Sequence, residues 1–192
     1  MGLLTFKGGI HPNDGKSLAK DKAIVTVMPK GDLIYPLSQH IGAMASPIVS
    51  VGDHVLKGQK IAEAGGFVSA PIHASVSGTV KAIEPHFNPT GSKVNCIVVE
   101  NDGEYQEVEY TPSKPLDELT KEEILNLIGE AGIVGMGGAG FPTKVKLSPK
   151  EPEKIEYVIA NCAECEPYIT ADYRRMLENP EELVSGMKVV LK

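Results

Sequence analysis

Four glycines in six residues, followed by two lysines, form the stretch of this 192-residue chain best suited to hold an anion. Residues 135–143, which we call the glycine loop, read Gly-Met-Gly-Gly-Ala-Gly-Phe-Pro-Thr, and Lys144 and Lys146 come directly after them. Glycine tolerates positive φ and leaves backbone N–H groups accessible, so such a loop can surround a phosphate while ammonium groups add charge. The glycine loop therefore predicts a site for a phosphorylated cofactor.

Gly135, Gly137 and Gly140 also match Gly-x-Gly-x-x-Gly, but the surrounding sequence does not suit an ordinary dinucleotide fold. That fingerprint follows a strand and opens a helix. Here residues 120–131, before the loop, have a capping-box start and apolar side chains at helical spacing. A nucleoside-triphosphate loop would need Gly-Lys-Ser/Thr, which is absent. A plain glycine-rich turn is the remaining alternative, and Gly138 and the Phe-Pro-Thr ending disfavour it.

Residues 161–167 form a second polar cluster, Asn-Cys-Ala-Glu-Cys-Glu-Pro, directly after an apolar run at 157–160. The run predicts a buried strand, and α/β folds place ligands just past the carboxyl ends of strands. Glu164 and Glu166 are two residues apart, so in an extended segment one would face a cofactor and the other a substrate. We expect this cluster and the glycine loop to form one nucleotide or flavin pocket.

Cys162 and Cys165 form Cys-x-x-Cys without the features of a known site. A zinc site would need a second pair, and a thioredoxin-like motif would need a helix N-terminus and aromatic neighbours. We therefore interpret both as buried or incidental thiols and predict no metal site. Together with Cys96 they make three cysteines, an odd number that favours a cytosolic protein over a secreted disulfide framework.

Residues 31–110 are β in character, with short apolar runs separated by turn residues. Val-Gly-Asp-His-Val-Leu-Lys-Gly-Gln at 51–59, with Ser-Gly-Thr-Val at 77–80, resembles the barrel-sandwich fold of biotinyl and lipoyl domains. Those carriers need a lysine at a hairpin tip, and here residues 64–70 read Ala-Gly-Gly-Phe-Val-Ser-Ala. The module is therefore predicted to be a scaffold or docking surface, with strands at 33–37, 47–49, 60–63, 78–83 and 96–100.

The predicted fold class is α+β or α/β, with the β-rich barrel-sandwich module followed by the start of a Rossmann-like domain. We expect an N-terminal extension at 1–30, with a short strand at 24–27, followed by the barrel-sandwich domain at 31–110. A proline-punctuated linker at 111–119 then leads to an α/β part at 120–192. The chain stops inside an apolar helical pattern, so we expect it to be a piece of a longer protein.

A net charge of −6 argues against nucleic acid as a partner. No apolar run reaches the ~20 residues that span a bilayer, and no signal peptide is visible. Histidines at 40, 54, 73 and 86 fit no ligand spacing such as His-x3-5-His, which favours solvated turn residues over a metal site. His11 is interpreted as a hydrogen-bonding loop residue.

The two polar clusters resemble a known family. Gly-x-Gly-Gly-Ala-Gly-Phe-Pro-Thr-x-x-Lys at 135–146 and Asn-x-x-Glu-x-Glu-Pro at 161–167 are similar to the FMN- and NADH-binding subunit of respiratory complex I. Phe-x-Gly-Gly-Ile-His-Pro at 6–12 and Pro-Leu-Ser-Gln-His-Ile-Gly at 36–42 more closely resemble the C subunits of Rnf complexes, the ferredoxin:NAD⁺ oxidoreductases. The resemblance covers nearly the whole chain and implies an FMN- and NADH-binding domain beginning near residue 120.

The resemblance implies cofactor-binding roles for ten residues. The contacts to the FMN phosphate and ribityl chain are expected from Gly135, Gly137 and Lys146, those to the flavin from Asn161 and Glu164, and those to NADH from Gly138, Phe141 and Glu166, with Gly140 and Thr143 completing the set. Phe141 could stack on an aromatic ring of the nucleotide. Ala163 stands where the complex I pattern has aspartate, so one polar contact to the flavin is missing. No catalytic acid or base is implied, because hydride exchange is cofactor chemistry.

The family also carries two [4Fe–4S] clusters on cysteine runs beyond this chain, so we expect this chain to ligate neither and to bind FMN weakly or not at all. The implied protein is a peripheral subunit at the cytoplasmic face of a membrane-bound, ion-translocating complex. It would exchange electrons between NAD(H) and ferredoxin through FMN, with the other Rnf subunits as partners. The alternatives are a soluble flavoprotein reductase for cobalamin or for a selenoenzyme such as proline reductase, and a non-catalytic docking scaffold.

Overall fold

The computed structural model describes residues 12–88, 90–111 and 113–192. The interpretation of His11, and the family motif at 6–12 except its last residue, lie outside them. The chain divides into two compact units. Residues 28–155 form one, which we call the barrel unit, and residues 1–27 with 156–192 form the other, which we call the terminal unit.

Seven strands form two antiparallel sheets in the described part of the barrel unit. The larger sheet has the order β1-β7-β6-β3 and the smaller β2-β4-β5. In the larger sheet Leu33 pairs with Val99, and Val80 also pairs with Val99 from the other side. The strands are β1 (Leu33–Pro36), β2 (Ser46–Pro47), β3 (His54–Val55), β4 (Lys60–Glu63), β5 (Ile72–His73), β6 (Gly78–Phe87) and β7 (Lys93–Asn101).

One hydrophobic core takes side chains from both sheets. Val55, Val80 and Ile97 from the larger sheet and Ile61 from the smaller one are fully buried in the same cluster. Burying each such aliphatic side chain stabilises the fold by about 1.5–3 kcal/mol. Two small sheets that share one core confirm the predicted barrel-sandwich module, and each of the five predicted strands overlaps or adjoins an observed strand.

The Gly-Asp motif forms the expected tight turns. Gly52 and Gly58 have φ of +96° and +84°, which glycine adopts without a Cβ clash. Asp53 Oδ2 accepts a hydrogen bond from Ser50 N at 2.8 Å. Gln59 Oε1 accepts one from Leu56 N at 2.9 Å, so the glutamine side chain closes the connection between β3 and β4.

The predicted helix at 120–131 is present as α1 (Lys121–Glu130). Its capping box is formed as the sequence indicated. Thr120 Oγ1 accepts from Glu123 N at 3.2 Å, and Glu123 Oε2 accepts from Thr120 N at 2.8 Å. Ile128 is buried, and a short helix α2 (Thr143–Lys146) follows the glycine loop. All of these elements lie in the barrel unit.

The predicted linker at 111–119 does not separate the two compact units. The chain just before it packs on the barrel, where Val108 N donates to Lys57 O at 3.0 Å. Tyr105 packs against the core. The compact units therefore have other bounds than the expected domains, whose bounds stay a prediction.

Two strand predictions are wrong. Residues 24–27 and 157–160 are irregular, and Val27, Tyr157 and Ile159 expose more than four-fifths of their surface. A strand needs a neighbouring strand for its backbone hydrogen bonds, and the described part of the terminal unit contains no strand that could pair with either segment. That unit instead contains α3 (Ala171–Glu178) and α4 (Pro180–Leu191), the latter with its first proline at the expected position.

Candidate functional site

The glycine loop is closed at its base by backbone pairing. Val134 and Pro142 form an antiparallel bridge, and Gly135 N donates to Phe141 O at 2.8 Å. Thr143 N donates to Ile133 O at 3.0 Å. The ends of the loop are thus fixed, and residues 136–140 span the gap between them.

Three carbonyl groups of the loop accept hydrogen bonds within the protein, whereas four successive N–H groups donate none to the described residues. Gly137 O accepts from Gly140 N at 3.0 Å, and Ala139 O accepts from Ile41 N at 2.9 Å. Among the described residues, no protein acceptor receives a hydrogen bond from the N–H groups of residues 136–139. Four successive donors are therefore left for solvent or a ligand, which is the arrangement of backbone anion sites.

The middle of the loop also leaves room for a ligand. A Cβ placed on Gly137 or Gly138 would meet no atom of the described residues within 4 Å, and Met136 is fully exposed. Gly140 differs, because it is buried at φ +54° against the barrel. The loop therefore has an open part at 137–138 and an anchored part at 140.

The two lysines after the loop have different surroundings. Lys144 Nζ donates to Asn126 Oδ1 at 2.9 Å and is thereby tied to α1. The Lys146 ammonium is exposed and makes no ion pair or hydrogen bond within the part of the chain that the structure describes. Lys146 is thus the lysine of the pair that can contact an added anion. Phe141 and Thr143 are half-buried beside it in sequence.

An ion-pair cluster fixes the end of α1 that leads into the glycine loop. Lys60 Nζ lies 2.5 Å from Glu130 Oε2 and 3.2 Å from Glu63 Oε1. The hydrogen bond from Lys60 lowers the pKa of Glu130, and the same bond raises the pKa of Lys60. Burial lowers the pKa of nearby His73, and the Lys60 charge lowers it further.

The second polar cluster lies in the terminal unit and is ordered by its own side chains. Glu164 Oε2 accepts from Asp172 N at 3.1 Å and from Tyr173 N at 3.4 Å, so it caps the start of α3. Asn161 Oδ1 accepts from Ala163 N at 3.1 Å. Both expected flavin contacts thus also have a local structural role, which the sequence did not indicate.

Lys16 is a residue of this region that the sequence did not reveal. Its Nζ donates to Glu166 O at 3.0 Å and to Ile169 O at 2.7 Å, which fixes the backbone around Glu166. A cavity of about 400 Å³ lies beside it, lined by Lys16, Lys20, Cys162, Glu164, Thr170, Tyr173 and Met176. Lys16 and Glu166 are 150 positions apart, so no local pattern could have connected them.

The glycine loop belongs to the barrel unit, and Asn161, Glu164 and Glu166 belong to the terminal unit. A single pocket formed by both stays a prediction.

The three cysteines are free thiols, with Cys96 buried, Cys162 half-buried and Cys165 exposed. Over the described ranges, no three His, Cys, Asp or Glu side chains are grouped as metal ligands. In those ranges no helix has the length and apolar character that crossing a membrane requires.

Fold and loop together define a barrel-sandwich protein with a glycine loop, four of whose N–H groups have no acceptor among the described residues. The family comparison gives the same result. The family model of the RnfC barrel sandwich hybrid domain matches residues 4–104, and that of the Nuo51 FMN-binding domain matches residues 128–192. The chain belongs to the RnfC family, which confirms the family resemblance and the fold class predicted from the sequence.

Similar proteins are the C subunits of ion-translocating complexes. The chain is 48% identical over 192 residues to the C subunit of the proton-translocating ferredoxin:NAD(+) oxidoreductase complex of Clostridium ljungdahlii, covering 99% of this chain and 42% of the relative. It is 42% identical over 189 residues to the Na(+)-translocating counterpart of Acetobacterium woodii, covering 98% and 43%. The C subunit of the ion-translocating oxidoreductase complex of Vibrio cholerae is 42% identical over 190 residues, covering 98% and 24%. The chain thus spans less than half the length of these relatives.

Proposed function

We propose that this chain forms part of the peripheral C subunit of a membrane-bound, ion-translocating complex that exchanges electrons between NAD(H) and ferredoxin. The names of the relatives and the match to an FMN-binding domain support this function. The observation that carries it is the run of N–H groups at 136–139, which have no protein acceptor among the described residues. These groups fit the phosphate of FMN.

Each expected contact has a distinct physical basis. Gly135 and Gly137 would bring backbone close to the phosphate and ribityl chain, and the Lys146 ammonium would add an opposite charge. Because no atom of the described residues lies within 4 Å of a Cβ built on Gly137 or Gly138, a ligand can reach the backbone there. The half-buried Phe141 offers an aromatic face to a nucleotide ring.

The residues of the second cluster would complete the site. Asn161 and Glu164 would hold the flavin and Glu166 would face NADH, while Gly140 and Thr143 shape the glycine loop. When bound, FMN supplies the chemistry that links the two-electron transfer of a nicotinamide to the one-electron transfers of iron–sulfur centres. The chain itself binds and orients, and its residues move no proton in this proposal.

Two [4Fe–4S] clusters are proposed for the additional length that the relatives have, outside this chain. The other subunits of the complex are the proposed partners, with ferredoxin reached indirectly and no nucleic acid involved. The proposed location is the cytoplasmic face of the membrane. The complex would then link the electron transfer to ion movement through its membrane subunits.

Flavin binding to the full-length protein tests the proposal. We expect Lys146→Ala to weaken FMN binding by about three- to tenfold, the equivalent of one ordinary hydrogen bond, because the ammonium is exposed to solvent. Lys121→Ala, which removes an exposed lysine at the start of α1, is the control and should bind FMN like the wild type. Fluorescence titration of FMN gives both affinities.

NADH oxidation by the same proteins distinguishes the proposal from a docking scaffold. We expect Glu166→Ala to slow NADH oxidation, whereas a scaffold that only docks other proteins would be indifferent to this change. A full-length protein without a yellow chromophore, whose NADH oxidation ignores both substitutions, would rule out the proposed function.

A further inference from the structure

We propose that His40 is a positioning residue for the glycine loop: through its imidazole, the barrel fixes Ile41, whose N–H holds the Ala139 carbonyl, which keeps the N–H groups of residues 136–139 available. The geometric part of this inference stands on the barrel unit alone. Its consequence for a ligand rests on the proposed function.

His40 lies in a segment of the barrel that we call the barrel loop, residues 37–45. Ala45 N donates to Leu37 O at 2.9 Å and closes this loop. Ala43 N donates to Val68 O at 2.9 Å, and Gly42, at φ +98°, packs against the same Val68. The barrel loop is therefore fastened to the hairpin tip at 64–70, where carrier domains of this fold have their lysine.

The imidazole of His40 connects that hairpin to Ile41. The side chain is buried, with 8% of its surface exposed, so the interpretation as a solvated turn residue is wrong for this histidine. Ala70 N donates to Nε2 at 3.1 Å, which requires the neutral ring with its proton on Nδ1. Nδ1 then donates to the Ile41 carbonyl oxygen at 3.1 Å. Nε2 is also 3.2 Å from Ala70 O but carries no proton for it in this tautomer.

Ile41 in turn holds the glycine loop. Its N–H donates to Ala139 O at 2.9 Å. Next to this bond Gly140 packs so closely that an added Cβ would lie 2.8 Å from Gln39 O and 3.1 Å from the His40 Cα. Contacts therefore run without a gap from the hairpin through the His40 ring and backbone to the glycine loop. The Ala139 carbonyl accepts a hydrogen bond from the barrel, and the neighbouring N–H groups have no acceptor among the described residues.

Three substitutions separate positioning from simple packing. His40→Ala removes both ring hydrogen bonds. His40→Asn keeps an amide donor near the position of Nδ1 and so keeps the bond to Ile41, whereas His40→Gln keeps an acceptor near the position of Nε2 for Ala70 N and loses the bond to Ile41. His86→Ala removes a histidine that pairs only with Glu84 among the described residues and serves as the control.

Amide hydrogen exchange in the ligand-free, full-length protein gives the first readout. For the amides of Gly135, Gly140 and Thr143, which are hydrogen-bonded in the structure, we expect Ala and Gln at position 40 to speed exchange about three- to tenfold, the effect of one lost hydrogen bond. His40→Asn and His86→Ala should stay near the wild type, and β6 and β7 should exchange unchanged in every variant. If His40→Ala does not fold, the Asn and Gln variants decide between the two roles.

Two results would overturn the inference. Glycine-loop exchange equal to the wild type in the Ala and Gln variants would show that His40 does not act on that loop. Better protection with Gln than with Asn, or faster exchange in β6 and β7 as well, would show a general packing role.

FMN titration of the same proteins is the second readout, with affinity expected to fall in the order wild type, Asn, then Gln and Ala. Unchanged FMN affinity in a variant with a loosened loop would overturn the link to the ligand. Wild-type protein that binds no FMN, together with the expected exchange pattern, would refute the proposed function and leave the positioning of the loop intact.

Discussion

Replacing Gly140 with alanine tests whether the glycine loop is anchored on the barrel as the structure shows. Gly140 is buried at φ +54°, and its substitution introduces two separate costs. The left-handed backbone costs an alanine about 1–2 kcal/mol. The new Cβ, 2.8 Å from Gln39 O, must displace backbone at an overpacking cost of about 1–3 kcal/mol. We therefore expect Gly140→Ala to lower the free energy of unfolding by about 2–5 kcal/mol.

Gly137→Ala is the matched control, since it makes the same change three residues away. Its φ is not in the left-handed region, and the new Cβ would meet nothing within 4 Å in the part of the chain that the structure describes. Exposed substitutions of this kind change stability by about 0.5 kcal/mol or less. The two variants differ in environment and share their chemistry, so the difference in stability between them measures the anchor.

Thermal and urea unfolding followed by circular dichroism provide the assay. For a protein of this size each kcal/mol shifts the Tm by roughly 2–4 °C, so we expect Gly140→Ala to melt about 4–20 °C lower and Gly137→Ala near the wild type. Equal melting temperatures for the two variants would refute the packing of the glycine loop on the barrel. A strongly destabilised Gly137→Ala would refute the open surface at that position.

Further predictions concern charge and the cofactor. Burial lowers the pKa of His73 from 6.5, so the folded state binds its proton less readily than the unfolded state. The stability that His73 contributes is therefore fully present above pH 6.5 and is lost as the pH falls toward the folded pKa. His73→Phe should flatten that part of the curve of unfolding free energy against pH, measured by urea unfolding. The pKa of Glu123 is lowered to about 2 by its hydrogen bonds from Lys114 and the capping box, so its contribution should be lost between pH 4.5 and about 2, and Thr120→Ala should cost about 1 kcal/mol in the same assay. Glu130→Gln removes the anion that Lys60 binds and should speed amide exchange at the end of α1 while β6 and β7 stay protected. This chain alone should bind FMN weakly or not at all, and a purified chain with a stoichiometric flavin spectrum would contradict that.

The features that the sequence revealed are those set by neighbouring residues. The capping box at Thr120 and the turns around Gly52 and Gly58 depend on side chains a few positions apart, so their patterns predicted them correctly. The irregular segments at 24–27 and 157–160 were predicted as strands because an apolar run does not show whether a partner strand exists. Whether such a segment forms backbone hydrogen bonds depends on residues far away in the sequence, which a local pattern does not contain.

The site shows the same division. The glycine loop was found from its composition, because only glycine allows such backbone geometry at several nearby positions. The burial of His40 depends on Ala70, thirty residues away, and the two carbonyls that hold Lys16 belong to residues about 150 positions later. From spacing alone, His40 was predicted to be a solvated turn residue, and no role was predicted for Lys16. Long-range hydrogen bonds therefore decide which polar residues surround the candidate site.

The unequal use of carbonyls and amides in the glycine loop determines which kind of solute it can discriminate. The oxygens of Gly137, Ala139 and Phe141 already accept hydrogen bonds within the protein, whereas the N–H groups of residues 136–139 have no protein acceptor among the described residues. Selectivity for negative over positive solutes then comes from these N–H groups together with the Lys146 ammonium. The residue at position 136, whose side chain is fully exposed, can accordingly be exchanged for a fluorescent or spin-labelled cysteine, which would report on the loop without altering its preference.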